Sequence, residues 1–137
     1  MQNNVYTIHA VAHAYHEMAE YQKTIDFLYK TKDNWIDNFG MKMHIYWHIG
    51  VAELGLSSFE KANQSFSKFF SMKLSSIAEQ DLDAVGFLWR YRLSKPEDDR
   101  YEKLWNQLSE NWIGCIGSSI SYFHDLHAAL CFGTGIV

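Results

Sequence analysis

The sequence predicts an all-α fold of stacked antiparallel helix pairs, and three observations carry that expectation. Apolar side chains recur at i, i+3, i+4 and i+7 along nearly the whole 137-residue chain. One proline and eight glycines leave few of the turn signals that a β-sandwich needs. The helical segments also match one another after a shift of 38 residues, which sets Ala12 on Gly50, Val11 on Ile49, Tyr21 on Phe59, Thr24 on Ala62 and Leu28 on Phe66.

Each element follows from its own pattern. In residues 5–18, Ile8, Val11, Ala12, Tyr15 and Met18 form one apolar stripe, and His9, His13, His16 and Glu20 continue the adjoining one. Ala19 and Glu20 break the pattern. Residues 21–30 then supply Ile25, Phe27, Leu28 and Tyr29. The segment 33–40, DNWIDNFG, reads as a connection because Asn, Asp and Gly dominate it. Residues 41–54 carry Ile45, Trp47, Ile49, Val51 and Leu54 on nearly all sides, the pattern of a central buried helix. Ser57 or Ser58 is the expected N-cap of the next helix, 59–72, with Phe59, Ala62, Phe66, Phe69 and Phe70. Leu82, Val85, Leu88, Trp89 and Leu93 mark a helix over 80–93. The SKPEDD run holds the sole proline and ends it. Leu104, Trp105, Leu108 and Trp112 define 100–112. Gly114 and Gly117 signal a turn, and 119–132 is the last helix.

About seven helices result, expected as one helical-repeat domain over residues 1–137. The pairs span about 5–30, 41–73 and 80–112, and the last helix is unpaired. The order small, aromatic, small, aromatic is the packing pattern of a tetratricopeptide-repeat-like α-solenoid. Gly50 and Gly86 fit close helix approach, since each costs about 1 kcal/mol against Ala inside a helix.

Composition narrows the function classes. The net charge of −4, with no basic stripe, argues against nucleic acid. No segment approaches the length of an apolar membrane span, and the N-terminus has no secretory signature. The two cysteines, Cys115 and Cys131, read as free thiols of a reducing compartment, so a cytoplasmic protein is expected.

All seven histidines fall into three clusters of helical spacing: His9, His13 and His16; His44 and His48; His124 and His127. Imidazoles at i and i+4 can chelate one ion from a single helix face, so His9/His13, His44/His48 and Asp125/His127 are candidate ligands for a divalent metal such as zinc. His13, His48 and His127 are the central ones if the clusters converge. Buried histidines hydrogen-bonded to Tyr, Asp or Glu compete with that reading. A metal-free enzyme would use Asp125 to orient His127 or a facing histidine as a general base. Asp83 and Arg90, seven apart on one helix face, are either a charged-group binder or a structural ion pair. Trp47 completes the candidate groove. Phe66, Phe69 and Phe70 read either as a hydrophobic groove or as core.

The blocks HAVAHAYHEM, HIYWHIGVAELG, LDAVGFLWRYRL and FHDLHAAL, in this order and spacing, resemble the central region of the tetratricopeptide repeat protein 38 family. Members are much longer, so the resemblance implies a segment of a longer protein. His124 stands where a small polar residue is expected. The resemblance implies the helical-repeat fold and little about chemistry. The expected function is a binding or scaffold module with a histidine-lined concave groove for a protein, peptide or small ligand, without nucleic-acid or membrane partners. The unpaired last helix adds an expectation of self-association. The alternative is an enzyme that uses the same groove.

Overall fold

A computed structural model of the chain describes residues 4–73, 78–113 and 122–133. Among these residues there are seven α-helices and no strand. They are α1 (Val5–Glu17), α2 (Tyr21–Lys30), α3 (Phe39–Gly55), α4 (Phe59–Ser71), α5 (Leu82–Ser94), α6 (Glu102–Ile113) and α7 (Tyr122–Gly133). The chain divides into two compact units, Met1–Met72 and Lys73–Val137.

The first unit consists of two helix pairs, α1/α2 and α3/α4, with α3 packed against all three other helices. The 38-residue shift holds in backbone detail. Ala19 and Ser57 both take φ of 56°, the left-handed conformation that closes each helical turn. Around them the same bonds recur: Ala19 N donates to the His16 carbonyl and Ser57 N to that of Leu54, while Glu20 N donates to Tyr15 and Ser58 N to Glu53. The side chains follow suit. Ala12 and Gly50 are buried, as are Thr24 and Ala62, and Leu28 and Phe66. Small residues at the crossings let the helix axes approach, and large ones fill the space beside them.

Local sequence explains where these helices begin and end. Asn4 caps α1 by accepting from Thr7 N at 2.9 Å, and Asn38 caps α3 by accepting from Met41 N at 3.0 Å. Ser58 occupies the expected N-cap position of α4, but its hydroxyl makes no cap hydrogen bond. The connection expected over 33–40 is shorter. Lys32–Asn34 forms a 3-10 turn, and α3 already starts at Phe39. Within this connection Trp35 is fully buried and its indole Nε1 donates to the Leu28 carbonyl at 2.8 Å. Phe66 and Phe69 are core residues packed edge to face, and half-buried Phe70 stacks on Phe66.

In the second unit α7 packs against both α5 and α6, so the last helix has neighbours. Val85, Phe87, Leu88, Tyr91, Trp105, Leu108, Trp112 and Cys131 form its core. Buried Asp81 is ion-paired with Lys73 and accepts from Asn111 Nδ2 at 3.1 Å. Hydrogen bonds hold the acidic loop after Pro96. Asp98 accepts from the Tyr91 hydroxyl at 2.6 Å and from Arg100 N at 3.0 Å, and these bonds lower its carboxyl below the usual range. Cys131 is a free thiol, pushed up to about 11 by burial, and Cys115 lies outside the described residues. The turn expected at Gly114 and Gly117 also lies outside them.

Two stability measurements follow. Trp35→Ala removes a fully buried indole and is expected to cost about 3–5 kcal/mol in chemical denaturation. Trp35→Phe keeps most of the volume but removes the indole donor to the Leu28 carbonyl, which Thr31 Oγ also reaches at 3.3 Å, and is expected to cost about 0.5–1.5 kcal/mol. The second concerns Glu53, a buried carboxyl on α3 whose affinity for its proton is raised by burial, against the opposing effects of Ser65, Lys61 and Lys68. Because its pKa is raised in the folded state, its protonated form contributes stability that is lost as pH climbs above the ordinary glutamate value. Glu53→Gln is therefore expected to melt higher than wild type near about pH 7 and to lose that advantage near about pH 4. An equal Tm difference at both pH values would contradict this.

Candidate metal centre

Four of the seven histidines converge. His9 and His13 are one turn apart on α1, and His44 and His48 are one turn apart on α3. Each offers one ring nitrogen, and these four atoms lie within 4.8 Å of one another. The Nε2 of His9 is 2.9 Å from that of His13 and 3.0 Å from that of His48, and His48 Nε2 is 3.1 Å from His44 Nε2. The imidazoles meet edge to face, with centroids 4.4–5.0 Å apart.

The repeat alone does not create this cluster. Shifted by 38 residues, His9 and His13 fall on Trp47 and Val51, and His44 and His48 fall on Tyr6 and Ala10. The two pairs are thus not equivalent positions. The first pair sits on the side of α1 that faces forward to α3, and the second on the side of α3 that faces back.

Burial grades across the site. His48 is 2% exposed, His9 and His44 are half-buried, and His13 is exposed. Desolvation lowers the pKa of His48 to about 2, and the neighbouring charges of His44, His13, His9 and His16 add to the effect. His48 is therefore neutral at physiological pH, which is the metal-ligating form of imidazole. Its Nδ1 is buried without a hydrogen-bond partner, so its one polar engagement is through Nε2.

A neutral imidazole Nε2 has a single in-plane position, occupied by a hydrogen or by a lone pair. His9 Nε2 and His48 Nε2 each face two other Nε2 atoms, and one position cannot serve two straight hydrogen bonds. The chain His13–His9–His48–His44 makes at most two good hydrogen bonds and leaves a contact near 3 Å in conflict. Four lone pairs directed at one cation remove the conflict. With metal–nitrogen bonds of about 2.1 Å, opposite ligands lie about 4.2 Å apart and tetrahedral ones about 3.4 Å apart. Reaching a tetrahedral spacing needs the three contacts of 2.9–3.1 Å to open by a few tenths of an ångström and any wider separations, up to 4.8 Å, to close.

Trp47 borders the site. Its ring lies parallel to that of His44, 10° between planes and 5.2 Å between centroids, and meets His48 edge on at 4.9 Å. His16, on the turn after His13, packs its ring on Tyr21 at 5.4 Å.

The remaining candidates lie in the second unit. His127 is buried with its ring stacked on Trp112, and Asp125 on the same helix is exposed. The side chain of His124 is outside the described residues. Arg90 donates to the Gly86 carbonyl at 2.8 Å, a contact within its own helix, and Asp83 is half-buried. Gly50 and Gly86 are both buried. A close approach is visible at a glycine that the spacing did not single out: a Cβ on Gly55 would sit 2.6 Å from the Tyr21 ring. Neither any protein-family model nor any solved structure matches the chain.

Proposed function

We propose that this chain is a helical-repeat binding module, tetratricopeptide-like in its first unit, that holds one divalent late transition-metal ion on His9, His13, His44 and His48. The observation that carries this reading is the convergence of four Nε2 atoms that hydrogen bonding alone cannot satisfy. The ligand set is all imidazole, which suits zinc, copper or nickel and disfavours magnesium and calcium, whose preferred ligands are oxygens. The ion would enter past exposed His13, with buried His48 at the base of the site.

The repeat of 38 residues and the four sequence blocks support a helical-repeat module related to the tetratricopeptide repeat protein 38 family. In such modules the first helices of successive pairs line one face. Here those helices are α1 and α3, which carry the histidines. A bound ion would tie the first pair to the second and stiffen that face.

Untagged protein is expected to bind one equivalent of zinc or copper by calorimetry, with micromolar or tighter affinity. Adding metal at about 1,000 times Kd is expected to stabilise the fold by roughly 4 kcal/mol, and a chelator is expected to reverse the shift. His48→Ala is expected to weaken binding by roughly 100-fold or more, whereas His127→Ala leaves it unchanged. Absence of both a thermal shift and measurable heat with zinc, copper and nickel would overturn the reading.

A further inference from the structure

The opposite side of α3 holds a second polar constellation, independent of the histidines. Glu53 lies five residues beyond His48, which turns its side chain roughly 140° away around the helix. It lines a cavity of about 290 Å³ bounded by α2, the C-terminal end of α3 and α4. Ile25 and Tyr29 form the wall from α2, Leu56 from the turn after α3, and Lys61, Ser65 and Lys68 from α4.

Glu53 is 5% exposed and lines this cavity. Ser65 Oγ donates to its Oε2 at 2.7 Å, and among the described residues no other hydrogen bond reaches it. Its Oε1 thus has no protein donor. Lys61 and Lys68 act on it through space and form no ion pair with it. These lysines are seven residues apart, so they share one face of α4 with Ser65 between them. Lys68 is further oriented by the Tyr46 ring, 5.5 Å from its ammonium nitrogen.

A carboxylate oxygen that borders a cavity and has no protein donor is open to a positively charged or strongly donating partner. Two exposed ammonium groups on the wall call for an anion and would repel a simple cation. A simple anion would meet Glu53. A molecule with both charges satisfies both ends. The volume is at the lower end of ligand cavities, about 300–1,000 Å³, and fits a molecule of amino-acid size.

We propose that this cavity binds a small zwitterion of the free amino-acid class, with the ligand ammonium on Glu53 Oε1 and its carboxylate on Lys61 and Lys68. Tyr29, Ile25 and Leu56 contact the carbon skeleton. The ligand ammonium offsets the cost of burying an ionised carboxylate, and also quiets the effect of Glu53 on Tyr29, whose hydroxyl is held above its ordinary value by burial and by Glu53.

The test is a thermal-shift and calorimetry screen of the full chain against the common free amino acids at millimolar concentration. Propylamine and propionate serve as single-charge controls. At least one amino acid is expected to raise Tm by several degrees, while neither control does. Glu53→Gln, which keeps an acceptor for Ser65, and Lys61→Ala/Lys68→Ala, which alters only exposed side chains, are each expected to abolish the shift. His48→Ala is expected to retain it, which separates this site from the metal centre. The proposal is overturned if no amino acid shifts Tm, if a single-charge control shifts it equally, or if the shift survives both sets of variants.

Discussion

The first unit is organised around a contest for four lone pairs. His9, His13, His44 and His48 bring four Nε2 atoms to one place, and each nitrogen has a single position to offer. In water such groups would be solvated separately. Packing α1 against α3 removes that solvent from His48 and presses the other three rings onto it. The result is a cluster of four imidazole nitrogens that could hold a metal ion, with its inner member, His48, kept unprotonated by burial.

Helix α3 makes this arrangement possible. It contacts every other helix of its unit, and nine of its residues are buried. One side carries His44 and His48 toward α1, and the other carries Glu53 toward Ser65 of α4. A helix with so little exposed surface cannot leave its polar groups to water, so each must find a partner inside the fold. The imidazoles find one another. Glu53 finds Ser65 for one of its oxygens. Polar groups so placed cost stability unless paired, which makes them better explained by binding than by folding.

Much of the fold is legible in the sequence. Apolar spacing locates all seven helices, and the 38-residue shift anticipates the repeated turns at Ala19 and Ser57. The caps are less legible, because Asn4 and Asn38 cap α1 and α3 while Ser58, at the expected N-cap of α4, makes no cap hydrogen bond. For the site, helical spacing pairs His9 with His13 and His44 with His48, but convergence depends on which sides of α1 and α3 face each other. That is set by tertiary packing. His127 illustrates the limit, since its spacing matches the others while its ring lies on Trp112 in the second unit. Glu53 gave one signal, a lone carboxylate inside the apolar run GVAELGL, and its meaning depends on the facing wall of α4.

The most direct test of the metal centre is X-ray absorption spectroscopy on the protein loaded with one equivalent of zinc. Four imidazole nitrogens at about 2.0–2.1 Å, falling to three in His48→Ala, are what this account predicts. A first shell dominated by oxygen or sulfur, or one unchanged by His48→Ala, would contradict it.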